Sequence, residues 1–79
     1  MKKDKINLYF GNKLRKLRED NGYNQYDFAF ECGISDAYYG RIERGEYSPT
    51  LKTMNKIART LGITLSELLK GIDNTNDIK

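Results

Sequence analysis

The chain has 79 residues, 38% apolar and 32% charged, with a formal net charge of +3. A chain of this size is one globular domain that buries only about 60% of the surface its unfolded form exposes, and no apolar run approaches the roughly 20 residues that span a bilayer. It has no histidine and a single cysteine, Cys32, so an internal disulfide, the common metal sites and most catalytic constellations cannot be assembled; no enzyme, metal or cofactor is expected.

Residues 1–7 carry Lys2, Lys3 and Lys5 with no apolar stretch behind them. They are expected to be a flexible basic N-terminus rather than a signal peptide, which together with the lone cysteine points to the cytoplasm. A first helix follows, with Tyr9 or Phe10, Leu14 and Leu17 on one stripe and Lys13, Arg15, Lys16 and Glu19 outside; Asn21-Gly22 ends it. Asn24 is a good N-cap for a second helix that turns Phe28, Ala29 and Cys32 inward. Gly33-Ile34 interrupts the chain, and Ser35 caps a third helix running to about Arg44 with Tyr39 and Ile42 inside.

Ser48-Pro49 reads as an N-cap followed by proline at the first helical position. The fourth helix then presents Leu51, Met54, Ile57, Ala58 and Leu61 at helical spacing. Thr64-Leu65-Ser66-Glu67 fits a capping box opening a short fifth helix with Leu65, Leu68 and Leu69. The domain is thus expected over 8–71, with 72–79 a frayed polar tail. No repeat and no strand-like alternation is found.

Two short helices joined by Gly33-Ile34 have the makings of a helix-turn-helix. Such a unit needs a small residue where its helices cross, met by Ala29. It also needs a turn residue that accepts positive φ, met by Gly33, and apolar anchors on both sides. Fixed this way, the second helix projects outward, able to enter a major groove.

From about Leu14 to Leu69 the chain resembles the Cro/cI-type, or XRE-type, helix-turn-helix domain of phage repressors and small bacterial regulators. The matching pieces are Leu17-Arg18, Asn24-Gln25, Phe28-Ala29, Cys32-Gly33-Ile34-Ser35, Ile42-Glu43-Arg44-Gly45, Pro49-Thr50-Leu51, Leu61-Gly62-Ile63 and Glu67-Leu68. The resemblance implies an all-α, five-helix bundle of the lambda-repressor-like type. It implies a sequence-specific DNA-binding regulator, a repressor or autoregulator, that inserts helix 3, about 35–44, into the major groove as a homodimer on a palindromic operator. Ser35, Asp36, Ala37 and Arg41 fall at base-reading positions; Gln25 and Arg44 fall at phosphate-gripping ones; Arg18 and Glu43 match a structural ion pair. Asp36, Tyr38 and Tyr39 depart from the usual pattern.

Several residues carry two readings. Asp36 can accept from a cytosine amine or simply favour the positive end of its helix. Arg41 can offer a fork to guanine, contact phosphate, or be a solvated charge. Tyr26, Tyr38 and Tyr47 can hydrogen-bond phosphate or pack on the surface, and Lys52 is preferred over Lys13, Arg15 and Lys16 as a flanking phosphate contact. Leu65, Leu69 and Ile72 are more apolar surface than a terminal helix needs to dock, and are expected at a dimer interface; the other reading has Leu65 and Leu68 completing the core, with Leu69 and Ile72 as scattered surface apolar groups.

One feature opposes DNA binding. Residues 1–18 set seven basic side chains against Asp4, a balance of +6, but residues 19–46 set seven acids against Arg41 and Arg44, a balance of −5. The alternative is therefore an interaction module of the same fold that has lost DNA binding; under either reading a protein partner such as a toxin stays open. Phage repressor, restriction–modification controller and antitoxin stay open as biological roles.

Overall fold

Local capping determines where most of the chain turns. The computed structural model describes residues 4–73 and contains five helices: α1 Lys5–Asp20, α2 Gln25–Cys32, α3 Asp36–Glu43, α4 Leu51–Leu61 and α5 Leu65–Leu69. No described residue lies in a strand. Asn24, Ser35 and Thr64 each accept a backbone N–H from three residues on, and Thr64 and Glu67 complete a reciprocal capping box. No helix among the described residues is long and apolar enough to cross a membrane.

Two boundaries differ from expectation. The first turn of α1 begins at Lys5, within the stretch 1–7 expected to be flexible, because Asp4 caps it by accepting the Ile6 N–H at 2.8 Å. Lys2 and Lys3 lie outside the described residues. Thr50, not Ser48, caps α4: its hydroxyl accepts from the Thr53 N–H at 3.1 Å, leaving Pro49 ahead of the helix and Ser48 free to donate to Asn7 Oδ1 at 2.7 Å. Leu51 consequently stands on an overhanging first turn, 64% exposed, and Thr53 is the buried residue of that turn. Of the expected tail 72–79, Ile72 packs against the core and Asp73 is exposed; 74–79 lie outside the described residues.

The core joins Phe10 and Leu14 of α1, Phe28, Ala29 and Cys32 of α2, Tyr39 and Ile42 of α3, Ile57 and Ala58 of α4, and Leu68 of α5. Phe28 is its aromatic hinge, edge-on to Tyr39 at 5.3 Å and tilted against Tyr23 at 5.2 Å between centroids, spacings at which aromatic pairs attract beyond their buried area. The Cys32 thiol is buried within it, and desolvation pushes its pKa up, as expected of a small hydrophobe rather than a reactive thiolate.

Lys13 has a structural task its position in a basic run does not suggest. Its ammonium donates to the Glu67 and Lys70 carbonyls at 3.0 and 2.8 Å, closing the C-terminal end of α5 against α1.

Candidate nucleic-acid interface

The turn between α2 and α3 is set by Gly33, whose φ of 76° needs no Cβ to be accommodated, and by the Ile34 N–H returning to the Ala29 carbonyl at 3.0 Å. Ala29, 1% exposed, lets the helices come together at the turn. Tyr39, Ile42 and Glu43 pin the inner side of α3.

Glu43 is the hub of this arrangement. Arg18 Nε donates to its Oε2 at 2.6 Å and Arg18 Nη2 to its Oε1 at 3.3 Å, while Gln25 Nε2 reaches Oε1 at 3.0 Å and the Tyr39 hydroxyl donates to Oε2. One carboxylate therefore ties α1, α2 and α3 together. Arg18 also donates to the Tyr23 carbonyl at 2.8 Å. Burial pushes the Glu43 carboxyl up, but the bonds from Arg18, Tyr39 and Gln25 outweigh it and hold the group below its ordinary range. Burial, and then the bond to Glu43, push the Tyr39 phenol well up, so it stays a neutral donor. Among the described residues, no buried side-chain nitrogen or oxygen lacks a hydrogen-bond partner.

With the inner side locked, Ser35, Asp36, Ala37 and Arg41 are all exposed along α3. Ser35 spends an oxygen lone pair on the Tyr38 N–H at 3.1 Å and keeps its hydroxyl proton to donate. Asp36 sits in the first turn, where the helix dipole favours an acid. Arg41 meets Tyr47: Nη1 donates to the tyrosine hydroxyl at 3.0 Å, and Tyr38 and Tyr47 are neighbours at 5.9 Å between rings.

The residues expected on phosphate are differently engaged. Gln25 has one amide proton committed to Glu43 and one left to donate. Arg44 Nε is paired with Glu46 at 2.9 Å, which raises the guanidinium pKa and must be exchanged for any phosphate. Tyr26 is 64% exposed on α2, and Lys52 is exposed on the first turn of α4. On α1, Arg15 and Lys16 face Glu19 and Asp20 at 3.9 and 3.6 Å. Leu69 and Ile72 are not part of this surface. They line a separate apolar groove of about 290 Å³ with Ile6, Phe10, Pro49 and Met54, while Leu65 packs half-buried on the core.

Two glycines of this region were missed in the sequence. A Cβ at Gly40 would lie 3.0 Å from Arg44 Nη1 and 3.6 Å from Gln25 Oε1, so its absence lets both side chains lie close over α3. Gly11 of α1 sits against the carbonyl end of α3. A glycine inside a helical pattern, costly by about 1 kcal/mol relative to alanine, was the available signal for each.

A family model described as helix-turn-helix matches residues 14–68. The chain is 44% identical over 69 residues to control protein C.MunI of Mycoplasma sp, covering 86% of this chain and 93% of that protein. It is 42% identical over 62 residues to YonR, an SPbeta prophage-derived uncharacterized HTH-type transcriptional regulator of Bacillus subtilis (strain 168). That match takes in 78% of this chain but only 57% of the longer relative. In structure it is similar to the restriction-modification controller protein C.AhdI from Aeromonas hydrophila, with a TM-score of 0.76 and 37% identity over 78% of this chain and 94% of that one.

Proposed function

The chain belongs to the helix-turn-helix family of DNA-binding transcriptional regulators, and from that membership we propose that it is a controller of the restriction–modification kind, reading a palindromic operator as a homodimer. The observation that carries this is the outward row Ser35, Asp36, Ala37 and Arg41 on a helix immobilised from behind by Tyr39, Ile42 and Glu43. The controller role is supported by C.MunI matching over 93% of its length and by the likeness to C.AhdI. Such a regulator acts where its DNA is, in the cytoplasm.

In this reading Ser35, Asp36, Ala37 and Arg41 address base edges. Gln25, Tyr26, Tyr38, Arg44 and Lys52 hold the backbone, while the Tyr47 hydroxyl is engaged by Arg41. The −5 segment is compatible with it, because Glu43 is consumed internally by four donor groups of Arg18, Gln25 and Tyr39, and Glu46 neutralises Arg44 until phosphate displaces it.

Selection of bound sequences from random DNA duplexes tests the reading, followed by affinity measurements on the selected site over a range of salt. Arg41→Ala is expected to cost roughly 1–3 kcal/mol on the selected site and little on random DNA. Arg44→Ala is expected to weaken both and to lower the salt slope by about one per half-site. Equal losses on both DNAs for Arg41→Ala would remove it from base reading.

The dimer is proposed to form around Leu65, Leu69 and Ile72, with the groove that Leu69 and Ile72 line closed by the second copy. Two α3 helices would then stand about 34 Å apart, one turn of DNA. Leu69→Glu with Ile72→Glu is expected to give a monomer in sedimentation with much weaker operator binding. Because both side chains also touch the core, Ile6→Glu serves as a second variant: Ile6 lines the same groove and is 48% exposed. Dimers persisting in both folded variants would place the two-fold axis on another face.

A further inference from the structure

Arg41 is held before any DNA arrives. Besides the 3.0 Å bond from Nη1 to the Tyr47 hydroxyl, its guanidinium carbon lies 5.4 Å from the Tyr47 ring centroid, and that ring packs against Tyr38. Tyr38 and Arg41 belong to α3, whereas Tyr47 comes from the loop beyond. That loop is brought back by Gly45, with φ 77° and its N–H on the Ile42 carbonyl at 3.0 Å. A side chain at Gly45 would collide with Leu8 of α1 at 2.8 Å, so the return path of the loop is narrow.

A guanidinium has five N–H donors. The bond to Tyr47 uses one, leaving enough for a two-pronged contact with guanine. An exposed arginine gives up its rotamer freedom when it docks, and one already restrained by a hydrogen bond and an aromatic face has less to lose.

We propose that Tyr47 is a positioning residue for Arg41, so that base discrimination at the position Arg41 reads depends on a tyrosine outside the recognition helix. The inference rests on α3 being the groove helix. It differs from a phosphate contact by Tyr47, which would strengthen binding to every sequence alike.

The experiment is selection from random DNA duplexes about 30 base pairs long, room for two half-sites one turn apart, with the parent, Arg41→Ala, Tyr47→Ala, Tyr47→Phe and the double alanine variant. The parent enriches a site, and Arg41→Ala loses preference at one position in each half. Tyr47→Ala is expected to lose the same position, by roughly fivefold to tenfold, and to add nothing in the Arg41→Ala background. Tyr47→Phe, which keeps the ring, retains part of the preference, and thermal melts of the Tyr47 variants match the parent. Uniform weakening on all DNA, tighter binding, or losses that add in the double variant would overturn the inference while leaving the DNA-reading role intact. A parent that enriches no sequence would overturn the role itself, and this inference with it.

Discussion

Gly11→Ala lowers the stability of the domain by about 3 kcal/mol or more, at the upper end for overpacking of a close contact. In a domain of this size that is a fall in Tm of about 12–24 °C. The direction is opposite to what helix propensity alone requires, since alanine is favoured over glycine in a helix interior by about 1 kcal/mol. The reason is geometric. A Cβ at Gly11 would stand 2.3 Å from the Glu43 carbonyl oxygen and 2.8 Å from both the Glu43 carbonyl carbon and the Ile42 oxygen. These are backbone atoms at the end of α3 and cannot rotate away, so α1 must lift, drawing Phe10, Leu14 and Arg18 off their contacts. Asn12→Ala, at the exposed neighbouring position, is the control and is expected within about 0.5 kcal/mol of the parent. A Gly11→Ala protein that melts with the parent would disprove the close crossing of α1 over α3.

Breaking the Glu43 hub is the second large effect. Arg18→Ala removes two donors from a carboxylate whose side chain is 2% exposed. Removing one partner of a buried pair costs about 3–5 kcal/mol, and Tyr39 and Gln25 remain to hold Glu43, so about 3 kcal/mol is expected at pH 7. The hub also gives stability a pH dependence. Glu43 is held below its ordinary value of 4.5 when folded. Its contribution is therefore complete above about pH 4.5 and is lost as the pH falls through the lower folded value. Urea midpoints at pH 7 and pH 3 for the parent and Glu43→Gln measure it: the parent's advantage narrows on acidification. A gap unchanged from pH 7 to 3 would show that Glu43 is not held ionised by its partners.

Local chemistry written in short stretches was legible in the sequence. Asn24, Ser35 and Thr64 cap helices because each carries a side-chain acceptor within reach of an N–H three residues on. The apolar stripes Leu14, Phe28, Ile42, Ile57 and Leu68 converge because each helix has one face to bury. The Arg18–Glu43 pairing was available through family resemblance, but its two further donors were not. Gln25 is far from Glu43 in sequence; Tyr39 precedes Glu43 by one helical turn, close enough to meet it, but only the closed core turns its phenol onto the carboxylate. Ser48, expected to cap α4, instead meets Asn7 of a distant helix, and Thr50 caps α4.

The sequence by itself determined the five helices and the turn at Gly33, and family resemblance marked the outward row of α3. The helix ends depend on caps and turns spanning four or five residues, whereas helices this short persist because packing buries their apolar faces. Tertiary structure alone decided which charges are available to a partner. Lys13 looks like a free cation in a basic run and is spent on the carbonyls closing α5, and Arg41 is held by Tyr47 of the returning loop. It also decided that Gly11 must have no side chain, because only the crossing of α1 over the end of α3 puts a carbonyl where a Cβ would be. Charge and volume are properties of residues, but availability and clearance belong to pairs brought together by the fold.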